Sequence, residues 1–95
     1  MNENAVTVIR NYVNENLFIP ARNWSDYEFK RRSYERWAAH EIIKRVDKTP
    51  EKEPFFIILY FRYQMDALSS IREDSDAEFI FITARDTADE ILELF

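Results

Sequence analysis

The sequence predicts an all-α domain built as a compact bundle of four helices, at about residues 3–18, 26–47, 54–72 and 76–94. Three observations carry this. Apolar residues recur at spacings of three and four in each stretch, the period of one helix face. The 95 residues include no Gly. Tight hairpins depend on residues that accept positive φ, so helices joined by short loops fit this chain better than a meander of strands. Capping-box patterns, Ser25 with Glu28 and Ser75 with Glu78, stand just before two of the helical stretches.

In the first stretch Ala5, Val6, Ile9, Val13 and Leu17 share a face, with Tyr12 beside them. Asn2 or Asn4 can cap its start. Ile19-Pro20 closes it, because the residue before a proline avoids the helical region. Trp24, one residue before Ser25, is placed to act as a hydrophobic staple.

The second stretch is the longest and is expected to be central. No Pro or Gly interrupts it. Ala38, Ile42 and Val46 form an apolar row with Ala39 and Ile43 beside it, while Tyr27, Tyr34 and Trp37 lie on another side. Two apolar sides imply more than one neighbour. Asp26/Lys30, Glu28/Arg32 and Glu41/Arg45 run acid first and base four later, worth about 0.2–0.5 kcal/mol each if formed.

The connector Thr49-Pro-Glu-Lys-Glu-Pro54 is short and polar, so it joins neighbours within a single helical domain, residues 1–95. Pro54 can open the third helix. Ile57, Phe61, Met65 and Leu68 form one face of it, and Phe56, Tyr60, Tyr63 and Ala67 another. Residues 69–74 grow polar and hold the next turn. In the fourth stretch Ala77, Phe81, Ala84, Ala88, Ile91 and Phe95 make a regular seam. The competing architecture is α+β, with strands at 55–61 and 79–83, since Phe55-Phe-Ile-Ile-Leu-Tyr-Phe61 and Phe79-Ile-Phe-Ile-Thr83 are rich in strand formers.

Composition excludes several chemistries. Without Cys there are no disulfides and no thiolate metal sites. Without Gly there is no P-loop or dinucleotide fingerprint. His40 is the one histidine; His40-Glu41 opens like a zinc-protease motif, but its second His is missing. Asp74-Ser-Asp76 opens like a calcium loop without the turn glycine, and reads as a loop with a helix cap. Asp86, Asp89, Glu90 and Glu93 read as a solvated face. No nucleophile-positioning turn is present. No catalytic residue, metal, cofactor or small-molecule ligand is therefore expected. The amino terminus has no basic leader, and the longest apolar run, Phe55 to Phe61, is short of the about 20 residues of a membrane span. A cytoplasmic protein without membrane contact is expected.

Charge is uneven. Residues 1–48 carry 9 Lys and Arg against 7 Asp and Glu, a surplus of +2, while residues 49–95 carry 4 against 11, a deficit of −7. Lys30, Arg31, Arg32 and Arg36, with Tyr34 and Trp37 interleaved, form the basic cluster that a nucleic-acid regulator would use. Phosphate neutralisation needs surplus cations, and the whole chain is at −5, so nucleic acid ranks second. The leading expectation is a non-catalytic protein–protein interaction module, self-associating as a homodimer or binding one protein partner. Its contact residues are Phe55, Phe56, Tyr60 and Tyr63, with Tyr34 and Trp37 as anchors from the second helix.

The segment Phe29-Lys-Arg-Arg-Ser-Tyr-Glu-Arg-Trp-Ala-Ala39 resembles a family of small uncharacterised helical proteins of Gram-positive bacteria, often found near phage-like elements. The resemblance extends to Met65-Asp66 and to Asp86-Thr-Ala-Asp-Glu-Ile-Leu-Glu-Leu-Phe95, and so over most of the chain. It implies an all-helical fold and a bacterial cytosolic setting. It implies no activity and transfers no site residue.

Overall fold

The computed structural model describes residues 2–71 and 74–95. Four helices follow in order: α1 Glu3–Asn16, α2 Asp26–Lys48, α3 Pro54–Ile71 and α4 Ser75–Leu92. The described residues contain no strand, so the α+β alternative with strands at 55–61 and 79–83 is corrected. The burial pattern gives the reason. Ile58, Phe61 and Met65 are the buried residues of α3, and Thr83, Ala84, Thr87, Ala88 and Ile91 those of α4. Both sets step by three and four, which only a helix can place on one side. Pro54 occupies the first position of α3, and the Glu53 carbonyl accepts from the N–H groups of Phe56 and Ile57.

The four helices stand where expected, with four ends shifted by one or two residues; α2 runs one residue further, to Lys48. α1 stops at Asn16, before the predicted end at 18, with Leu17 as its cap. α4 begins and ends earlier than 76–94, and its N-cap is Asp74, whose carboxylate accepts from the Asp76 N–H at 2.9 Å. Ser75 is therefore the first helical residue and not a cap. Phe95, the last position of the predicted seam, lies beyond α4 and is exposed. The predicted end of α3 at 72 falls outside the described residues. At Ser25 the expected capping box is complete: its hydroxyl accepts from the Glu28 N–H, and the Glu28 carboxylate accepts from the Ser25 N–H.

α2 touches α1, α3 and α4, and α3 with α4 forms the most extensive pairing. The core is drawn from all four helices. Ile9, Val13 and Leu17 meet Ala38, Ala39, Ile42 and Val46, then Ile58, Phe61, Ala84, Ala88 and Ile91. Small residues recur where α2 and α4 enter the core, and they let helix axes approach closely. The buried Thr87 hydroxyl is satisfied inside its own helix by the Thr83 carbonyl at 2.8 Å. No described residue takes a left-handed backbone conformation, as suits a chain without Gly.

The molecule measures 39 × 35 × 20 Å. Its shortest dimension matches two helix diameters of about 10–12 Å. The fold is thus a two-layer slab, and a helix in it keeps one long side open to solvent. No helix among the described residues is long and apolar enough to cross a membrane.

Candidate functional site

That open side is most apolar on α3. Phe56, Tyr60, Tyr63, Ala67 and Ile71 follow at steps of four, three, four and four, so they fall on one stripe opposite Phe61 and Met65. The stripe is solvent-exposed: Phe56 62%, Tyr60 64%, Tyr63 58% and Ile71 72%. From Phe56 to Ile71 it is about 22 Å long at 1.5 Å per residue. Phe55 sits at its start, edge-on to Phe56 with ring centroids 5.5 Å apart. α3 carries one cation, Arg62, and one anion, Asp66. Both are drawn toward α4, where Arg62 reaches Asp89 at 3.0 Å and Asp66 reaches Arg85 at 3.0 Å. The bond to Asp66, with Asp86 beside it, raises the basicity of Arg85 further. No charged side chain of α3 therefore stands on the stripe.

α2 and the connector form one shoulder of the stripe. Arg45, Thr49, Lys52, Phe56, Ile57 and Tyr60 line a groove of about 410 Å³. The Arg45 guanidinium lies 4.7 Å from the centre of the Phe61 ring. Neither Arg45 nor Lys52 makes an ion pair among the described residues.

The other predicted contact residues divide. Trp37 is exposed on α2. Tyr34 is turned inward, edge-on to Phe79 of α4 at 5.3 Å, and Tyr27 stacks on the same ring at 5.1 Å. These rings fasten α2 to α4, so Tyr34 is a packing residue.

The basic cluster does not form one face. Arg32 donates to the Phe18 carbonyl at 2.6 Å and pairs with Glu35 at 3.3 Å; Arg36 donates to the Leu17 carbonyl at 2.9 Å. Both satisfy carbonyls at the exit of α1, where a helix leaves acceptors open and favours cations. Lys30 and Arg31 remain exposed. The expected pairs four residues apart are not seen: Glu28 pairs with Arg22 at 3.4 Å and Glu41 with Lys44 at 2.7 Å. Trp24, the residue before the Ser25 cap, is half-buried. It takes the Arg22 guanidinium at 3.9 Å and donates to the Pro20 carbonyl at 3.0 Å.

One cleft was not foreseen. Tyr12, Asn16, Leu17, Arg32, Glu35, Glu90, Glu93 and Leu94 line a cleft of about 640 Å³ between α1, α2 and the end of α4. Its groups mainly satisfy one another: Tyr12 donates to Glu90 and Arg32 holds Glu35. Burial and the Glu90 carboxylate push the Tyr12 phenol well above its ordinary value, so it stays protonated at neutral pH and serves as a donor. No group of three His, Cys, Asp or Glu among the described residues is arranged to hold a metal, and His40 is exposed.

Compared with known proteins, the chain matches no family model, no characterised protein and no solved structure.

Proposed function

We propose that this chain is a non-catalytic protein–protein interaction module whose contact surface is the open stripe of α3, in a bacterial cytoplasmic setting of the kind the resemblance implies. The observation that supports it most is the stripe itself: three large rings and Ile71, exposed on one helix side over four turns with no charge among them. Rings concentrated on one face are the usual anchors of such contacts, and contiguous apolar surface on a soluble fold marks interaction sites. Phe55, edge-on to Phe56, extends the aromatic surface available to a partner, and Trp37 is a second exposed ring on α2. Tyr34 drops out of the contact set because Phe79 already covers it.

The test is a pair of substitutions, Phe56→Asp and Tyr60→Asp. Both residues are exposed, so the variants should keep the helical circular dichroism spectrum of the parent. Loss of oligomeric mass or of partner capture is expected. Folded variants with both properties unchanged would refute the reading.

A further inference from the structure

We infer that the occupant of the α3 stripe is the α3 stripe of a second copy, packed antiparallel about a two-fold axis; this rests on the interaction reading above and names its partner. The first argument is charge. The protein carries −5, so two copies repel, and an isologous contact sets each surface against itself. A stripe without charged side chains can do this with no like-charge conflict at its centre.

The second argument is shape. With the axis beside Tyr63, an antiparallel pair sets Phe56 against Ile71 of the second copy, Tyr60 against its Ala67, and Tyr63 against its Gln64. The most exposed ring, Tyr60, thus meets the smallest residue of the stripe, the large-to-small fit that interdigitated helices need.

The third argument is the polarity of the two ends. Beside Phe56 stand Arg45 and Lys52, cations without an ion pair among the described residues and lining the same groove as Phe56 and Tyr60. Glu51 and Glu53, which flank Lys52 in the chain, do not line that groove; with Lys52 they line a cleft against the start of α1. Beyond Ile71 the chain enters α4 through Asp74, Asp76 and Glu78, all exposed. Arg72 and Glu73 between them are one cation and one anion. Antiparallel pairing brings the basic end of each copy to the acidic end of the other, twice.

The area suffices. At about 200 Å² per ring, the exposed parts of Phe56, Tyr60 and Tyr63 amount to about 370 Å² per copy. Ile71, Ala67 and the two charged ends bring a pair to the lower range of specific interfaces, about 1,200 Å² in total.

The experiment is light scattering behind size exclusion, across a tenfold dilution, on the full chain and on two charge-reversed variants. One variant carries Arg45→Glu and Lys52→Glu, the other Asp76→Lys and Glu78→Lys. The parent should run as a dimer that dissociates on dilution. Each variant alone should be monomeric, and an equimolar mixture should recover the dimer, because only the mixed pair restores opposite charges at both ends. A parent that stays monomeric at the highest concentration overturns the second-copy assignment. In that case, partner capture that Tyr60→Asp abolishes would leave the interaction reading standing. A parent dimer that survives Tyr60→Asp overturns both. A mixture no more dimeric than its components overturns the antiparallel arrangement.

Discussion

Replacing Asn2 with Ala should destabilise the fold by about 2 kcal/mol. Asn2 sits at the N-cap position of α1, yet its side chain makes no cap bond. It is buried, and its Nδ2 lies 3.1 Å from the Val46 carbonyl, 3.0 Å from that of Thr49 and 3.2 Å from that of Lys52. One amide group thus ties the start of α1 to the end of α2 and to the connector. Its two hydrogens form at most two full bonds at a time, each worth about 0.5–1.5 kcal/mol net. Truncation would also leave the Val46 carbonyl, on a fully buried residue, without this partner. In a chain of this length 1 kcal/mol moves Tm by about 4–8 °C, so Asn2→Ala should lower it by about 8–16 °C. Urea unfolding followed by circular dichroism would read the loss as a lower midpoint at unchanged slope. The decisive control is Asn2→Asp. Asp caps a helix as well as Asn does and suits the positive end of the dipole. It has no donor, however, and would aim a carboxylate at three carbonyl oxygens. Asn2→Asp should therefore be less stable than Asn2→Ala. An Asn2→Asp variant as stable as the parent would refute the clamp and return Asn2 to an ordinary cap.

Three further outcomes follow from named contacts. Ser25→Ala removes the hydroxyl of the α2 capping box and should lower stability by about 1 kcal/mol in urea. The bonds from Ser25 hold the Glu28 carboxyl below its ordinary value, so this contribution is present above the ordinary carboxylate range and fades as pH falls through the depressed folded value; Glu28→Gln should flatten that acid limb. Gln64→Leu should leave stability unchanged or raise it by up to about 2 kcal/mol in a Tyr60→Asp background, because the buried Gln64 Oε1 has no hydrogen-bond partner and an orphan acceptor costs about 1–3 kcal/mol. The Tyr12 phenol, raised by burial and by Glu90, favours the fold below the ordinary phenol value of about 10 and ceases to do so as pH climbs from there through the raised folded value. Tyr12→Phe should remove that alkaline loss, and a parent whose urea midpoint is flat through this range would contradict the bond.

Local chemistry made the four helices legible. The rows Ala38, Ile42, Val46 on α2 and Ala5, Val6, Ile9, Val13, Leu17 at α1 are buried as their spacing requires, because helical periodicity is a property of consecutive residues. The Ser25 cap and the Pro54 start needed only three or four neighbouring positions. The two apolar faces of α3 were legible too, since Phe56, Tyr60 and Tyr63 lie opposite Phe61 whatever the helix packs against.

Tertiary structure decided whatever depends on residues far apart in the chain. It assigned Arg32 and Arg36 to the carbonyls of Leu17 and Phe18, where a sequence reading sees only a basic run. It turned Tyr34 inward onto Phe79, more than forty residues away, and left Tyr60 bare. It made Asn2 a clamp across 44 to 50 positions, although Asn before a helix reads as a cap. A sequence pattern reports which side of a helix is apolar; which apolar side finds a neighbour depends on how many layers the chain can build. In a slab 20 Å thick there are two layers, and the outer face of α3 stays exposed.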